Sequence, residues 1–151
     1  MSEKVEKARE LFLEGYNCAQ AVVGAFSDDV GLDFDTAMRL ASSFGAGMGR
    51  LREVCGAVSG SFMILGLKFG YNSPDDKDGK IRHYKLIQDV AERVCDEKGS
   101  IICREILGKR ADKKESYVPD DRTADYYKTR PCLGMVEEMA KITEEILKNE
   151  I

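Results

Sequence analysis

Five cysteines and a single histidine in a chain of 151 residues are the side chains most able to do chemistry here. Cys18 follows Asn17, a residue type that caps helix N-termini well. Cys55 opens a long apolar segment, and Cys132 follows Pro131, a residue favoured where helices begin. Each of the three is thereby expected in the first turn of a different helix. The free N–H groups and the positive dipole end there stabilise a thiolate. Such positions lower a thiol pKa from about 8.5 toward 7 or below, and the thiolate is the form that attacks disulfides and binds metals. Cys103 stands early in a short segment, about three residues after Ser100, with Arg104 beside it. Cys95 follows Val94 on the expected core side of a longer helix and reads as a packing residue, a common use of free cysteine.

Other motifs are missing or weaker. No CxxC is present, so neither a thioredoxin-like pair nor a zinc-knuckle half-site is indicated. His83 alone is too little for a His-rich metal site and reads as a surface or internally satisfied helix residue. No nucleophile elbow supports a Ser–His–Asp hydrolase. The run Gly45-Ala46-Gly47-Met48-Gly49-Arg50 is neither a Walker A loop nor a full GxGxxG after a strand. It reads as a tight turn that delivers Cys55. Its amides could also form an anion nest, with Arg50 and Arg52 nearby.

Net charge is -4, with no basic stripe and interleaved aromatics, which disfavours nucleic-acid binding. Lys109-Arg110 and Lys113-Lys114 are interrupted by Asp112 and Glu115 and read as solvated loop charge. The beginning MSEKVEKARELFLEG has no apolar signal core, so secretion is not expected. The longest uncharged run, Val54 to Leu67, has 14 residues, short of the ~20 that span a bilayer. A cytoplasmic location is therefore expected, where thiols stay mostly reduced. A chain of this length can bury a core without disulfides, so five cysteines ask for another explanation.

The elements that must position these thiols read as an all-α single-domain bundle of six to seven helices around one buried helix, covering residues 1–151. Lys4 to Glu14 shows Val5, Ala8, Leu11 and Phe12 at helical spacing. Cys18 to about Asp28 turns Cys18, Ala21, Val22 and Ala25 inward. A third helix starts at Asp33 or Asp35 and runs to about Phe44, with Ala37, Leu40, Ala41 and Phe44 inward. Cys55 to Phe69 is apolar all round and is expected at the centre. Gly56 and Gly60, and Gly66 and Gly70, are spaced to let a neighbouring backbone approach. Asp76 to Lys98 is expected to bury Ile81, Tyr84, Ile87, Ala91, Val94 and Cys95. A short helix from Ile101 to Leu107 follows, and a last one, Cys132 to Lys148, turns Met135, Val136, Met139 and Ile142 inward. Twelve of the 22 residues in 109–130 are charged, which predicts a long loop with one helical turn, the kind of segment that serves as a lid or flap.

Gly15-Tyr16-Asn17-Cys18-Ala19-Gln20, the Gly45–Arg50 run and Cys55-Gly56-Ala57-Val58-Ser59-Gly60 together resemble the C_GCAxxG_C_C family of redox-active proteins. These are bacterial and archaeal chains of about this length, marked by a CGAxxG element and three further cysteines. The resemblance covers nearly the whole sequence. It implies that the family cysteines fall on Cys18, Cys55, Cys103 and Cys132, which adds Cys103 and leaves Cys95 out. It also implies a redox role without naming a reaction.

Four cysteines converging in one site support three expectations. One is a thiol–disulfide oxidoreductase, with Cys55 as the attacking nucleophile, Cys18 as its resolving partner and Arg50 or Arg52 holding the thiolate. Another is a carrier in which the same four thiolates, Cys18, Cys55, Cys103 and Cys132, hold zinc or an iron–sulfur cluster. The third is a helical binding module whose cysteines only pack. The cofactor is accordingly none, zinc or an iron–sulfur cluster. The expected partner is an unidentified redox partner, with no nucleic acid and no membrane insertion, and a homo-oligomer is left open.

Overall fold

The strongest local signals in the chain are helix starts, and most of them are used. Ser2, Asn17, Asp33, Asp76 and Thr123 each accept a hydrogen bond from an N–H in the first turn of the helix that follows, which satisfies donors that a helix leaves open. The structure, a computed structural model, describes residues 1–108 and 116–149. Among these it forms α1 (Glu3–Leu13), α2 (Cys18–Phe26), α3 (Phe34–Ala41), α4 (Gly56–Phe69), α5 (Lys77–Lys98), α6 (Cys103–Leu107), α7 (Ala124–Thr129) and α8 (Cys132–Asn149). No strand forms among the described residues, only an isolated antiparallel bridge between Val54 and Ile102. None of the helices described is long and apolar enough to cross a membrane.

The core lies where α1, α2, α4 and α8 pack together. Helix α2 is innermost, since every residue in it except Gln20 is buried. Its small and branched apolar residues leave no polar face for water. The sequence placed α4 at the centre instead, but Leu67 on α4 is 53% exposed. Helices α2 and α4 meet closely because Gly60 has no side chain: a Cβ there would stand 2.9 Å from the carbonyl oxygen of Ala19. The second glycine pair serves α4 itself, with Gly70 N–H closing onto the Gly66 carbonyl at 2.8 Å. Between α4 and α8 the buried Thr143 hydroxyl donates to the Met139 carbonyl and lies 2.7 Å from the Ser61 hydroxyl, so neither polar group is left unsatisfied.

Two helices depart from the expected burial. In α3, Met38 is buried and Leu40 is exposed. Helix α5 lies on the outside and buries only Gly79, Val90 and Val94, while Ile81 and Tyr84 are exposed. Cys95, expected in the core, is exposed. Successive helical residues point about 100° apart, so following Val94 turns Cys95 away from the face that Val94 buries. The charged pairs Lys109-Arg110 and Lys113-Lys114 lie outside the described residues. Between residues 116 and 131 the chain contains the short helix α7.

Candidate functional site

Cys18, Cys103 and Cys132 are the first residues of α2, α6 and α8, and Cys55 is the residue that caps α4. All four line one cavity of about 120 Å³. All five cysteines are free thiols, and neither Cys95 nor His83 borders this cavity. Among the described residues, no group of three or more His, Cys, Asp or Glu is placed to hold a metal ion.

Local hydrogen bonds fix the backbone at three of the four cysteines. Asn17 and Gln20 form a reciprocal capping box at the start of α2, with bonds of 2.8 and 3.0 Å, and Asn17 also donates to the Ser42 carbonyl at 3.2 Å. Cys55 and Cys103 are pinned against each other's strand-like segments. Cys55 N–H donates to the Ile101 carbonyl at 2.8 Å, and Cys103 N–H to the Glu53 carbonyl at 2.6 Å. The ion pair of Arg104 with Glu53 flanks this pairing. Gly56 then lets the start of α4 reach Cys18, because a Cβ on it would stand only 2.5 Å from Cys18 Sγ.

The glycine-rich run is a left-handed turn. Ala46, Gly47, Met48, Gly49 and Arg50 have φ of 57°, 70°, 72°, 61° and 71°, and Arg52 follows at 60°. Non-glycine residues pay about 1–2 kcal/mol each for this region. The turn is closed by Gly49 N–H on the Gly45 carbonyl and Glu53 N–H on the Gly47 carbonyl, both 2.9 Å. Gly47 is needed for space as well as for φ, since a Cβ there would lie 2.6 Å from Cys103 Cβ. The turn therefore delivers Cys55, and it also brings Ala46 into the cavity wall with Cys18.

That arrangement separates the thiols electrostatically. The Cys55 thiol donates to Cys18, and the N–H groups of Ala46, Ala19 and Cys18 itself add to it. Together they overcome burial and draw the Cys18 pKa down to about 6. Cys55 is pushed the other way, well above its ordinary value, because its proton makes that bond and burial disfavours its charge. Burial also raises Cys103, against the pull of Arg52, whose Nη1 donates to the Cys103 sulfur at 3.7 Å. Cys132 is pushed to about 11 by burial, with the charge on Cys18 adding to it. Position at a helix start is common to all four, so it does not decide which is ionised. The donors that reach Cys18 do.

This gives a pH dependence. The rate of Cys18 alkylation by iodoacetamide is expected to rise with pH through a midpoint near 6, because only the thiolate reacts. Peptide mapping after short labelling pulses at each pH measures it, and a midpoint above 8 would overturn the assignment. The sign for stability follows. A depressed folded pKa means that folding releases a proton between about 6 and the ordinary 9.0. The contribution of Cys18 is complete above 9.0 and is lost as pH falls through 6.

The segment over the cavity is tied down from both sides. Arg50 donates to the Ser116 carbonyl at 2.8 Å and pairs with Asp120 at 3.3 Å, and Arg130 pairs with the same carboxylate at 2.8 Å. Arg122 donates to the carbonyls of Phe12 and Tyr16, both at 2.9 Å, and its guanidinium lies 4.4 Å from the Phe12 ring centre. Pro119, Asp120, Arg122, Tyr126 and Arg130 thereby become cavity wall. The sequence pointed to a long loop of the lid or flap kind here, but it singled out none of these five residues. The one local signal was Thr123, a helix cap set before the Tyr126-Tyr127 pair.

A family model described as "Putative redox-active protein (C_GCAxxG_C_C)" matches residues 16–146 of the chain. No curated protein and no solved structure matches it.

Proposed function

Because the chain belongs to the C_GCAxxG_C_C family, we propose that it is a thiol–disulfide oxidoreductase in which Cys18 attacks and Cys55 resolves. These roles are the reverse of those expected from the sequence. What supports them is that both thiols border one cavity, that Cys18 Sγ lies against the start of α4 at Gly56, and that the neighbouring Cys55 thiol and the nearby backbone N–H groups draw the Cys18 pKa down. In such a pair the acceptor is the nucleophile and the donor is the reserve thiol.

Cys18 Sγ attacks one sulfur of a substrate disulfide, forming a mixed disulfide and breaking the substrate's S–S bond. The departing thiolate takes the proton that Cys55 gives up. Cys55 then attacks Cys18 Sγ and expels the second half as a thiolate, which solvent protonates. The substrate gains two electrons and two protons, and the protein is left with a Cys18–Cys55 disulfide. An external dithiol reductant restores it. Cys103 and Cys132 border the same cavity as protonated thiols and take no part in this first exchange.

Mild oxidation of the reduced protein is expected to remove two free thiols and two hydrogens of mass, with one linked peptide joining Cys18 to Cys55. Thiol counting and mass spectrometry of the digest measure this. An unchanged count overturns the proposal.

A further inference from the structure

The first exchange leaves two of the four cavity thiols, Cys103 and Cys132, unused. Cys103 is held in register with Cys55. Val54 and Ile102 form an antiparallel bridge, flanked by the bonds from Cys55 N–H to the Ile101 carbonyl and from Cys103 N–H to the Glu53 carbonyl. Side chains alternate between the two faces of such a pairing, so Cys55 and Cys103 share one face while Val54 and Ile102 take the other. Both cysteines border the cavity, and neither Val54 nor Ile102 does. Cys55 stands opposite Ile101, which makes Cys103 its diagonal neighbour on the shared face. Diagonal Cβ atoms lie roughly 7–8 Å apart or somewhat less, and a disulfide holds them at about 4 Å. The remaining approach, about 3 Å, falls on α6, a helix of 5 residues, and not on the core helices α2 and α4. Cys132 enters the cavity from α8 instead.

We propose that Cys103 is a second resolving thiol, which takes the disulfide over from Cys18. This rests on the exchange chemistry proposed above. In the Cys18–Cys55 disulfide Cys55 has no proton to give, but the backbone N–H groups near Cys18 still favour a thiolate there, while burial disfavours one on Cys55. The sulfur with the lower thiol pKa leaves faster. Cys103 Sγ, as a thiolate, therefore attacks Cys55 Sγ. The Cys55–Cys103 bond forms, the Cys18–Cys55 bond breaks, Cys18 departs as a thiolate, and the proton of Cys103 goes to solvent. One disulfide is exchanged for another, so no oxidant or reductant is consumed. Cys18 is thereby a nucleophile again while the chain is still oxidised, and it can attack a second substrate before the external dithiol acts.

A pH jump tests it. The full-length protein, with Cys95→Ser to remove the exposed thiol outside the cavity, is oxidised by one equivalent of diamide at about pH 5, where Cys103 stays protonated and the first link, Cys18–Cys55, is retained. It is then brought to about pH 8 and quenched in acid at intervals, and the linked peptides are mapped. Each pKa unit by which Cys18 lies below Cys103 favours the shifted disulfide about tenfold. The Cys55–Cys103 link is therefore expected to exceed the Cys18–Cys55 link by at least about tenfold. Cys18 regains alkylation by iodoacetamide in step, with the free-thiol count unchanged. Cys103→Ser is expected to keep the Cys18–Cys55 link, and mapping on the chain that retains Cys103 still gives the answer if that variant does not fold. A Cys18–Cys55 link that persists after the jump, a new link to Cys132, or a rate that rises with protein concentration overturns the takeover by Cys103 and leaves the first exchange standing. If no Cys18–Cys55 link forms in the first step, the exchange chemistry itself falls, and this inference with it.

Discussion

Replacing Cys18 with serine is expected to abolish disulfide exchange, lowering its rate constant at pH 7 by at least about a thousandfold, since a serine hydroxyl stays un-ionised there and a thiolate is intrinsically far more nucleophilic. Cys55→Ser is expected to behave differently. Its hydroxyl can still donate to Cys18, so the first attack survives, but no sulfur remains to expel the second half. The mixed disulfide on Cys18 should therefore accumulate. Intact-protein mass spectrometry after mixing with a small disulfide separates the two outcomes: a stable adduct with Cys55→Ser and none on residue 18 with Cys18→Ser. An adduct trapped on Cys55 in the Cys18→Ser protein would restore the reverse order of attack. The distinction follows from which sulfur accepts and which donates in the native pair.

Gly56→Ala is expected to be strongly destabilising, because the added methyl group has no room. The new Cβ would lie 2.5 Å from Cys18 Sγ, 2.8 Å from the Phe44 carbonyl oxygen and 3.1 Å from the Ala19 nitrogen. A thiol can rotate, but two of these contacts are backbone, so the start of α4 must withdraw from α2. A loss of about 2–3 kcal/mol is expected for such overpacking, read as a lower denaturant midpoint. Withdrawal also lengthens the bond from Cys55 to Cys18, so the low-pH alkylation midpoint should move up. Gly134→Ala is the control. It lies exposed in α8 with nothing within 4 Å of its Cβ position, and it should stabilise the protein by about 0.5–1 kcal/mol through helix propensity alone. A destabilisation from Gly56→Ala no larger than this control's change would show that the close approach of α4 to α2 is not tight in solution.

Elements whose apolar residues repeat cleanly were legible in the sequence. Val5, Ala8, Leu11 and Phe12 on α1, and Met135, Val136, Met139 and Ile142 on α8, are all buried as their spacing requires. Helix α5 was misread because its apolar residues are spread around the cylinder, and only packing against the rest of the folded chain selects which of them is covered. Three of the cavity cysteines could be found from local helix-start signals. Cys103 could not: its place depends on pairing of the chain near residue 53 with the chain near 102, and only family resemblance picked it out. The electrostatic ranking of the thiols was invisible for a related reason. Helix dipoles act alike on all of them, whereas the decisive donors to Cys18 come from Cys55 and Ala46, far away in sequence. The arginine wall was hidden in the same way, since Arg50 finds Asp120, and Arg122 finds the carbonyls of Phe12 and Tyr16, only across the folded molecule.

The left-handed turn has a statistical consequence. Ala46, Met48, Arg50 and Arg52 all occupy a region in which a non-glycine residue is found only a few per cent of the time. For four independent residues the joint probability is on the order of one in a million. An unfolded or partly frayed chain thus almost never places Ala46 beside Cys18, and a fast-reacting thiol near pH 6 belongs to native molecules alone. The alkylation rate at that pH is consequently a direct census of the folded population, usable in crude mixtures where spectroscopic probes of folding fail.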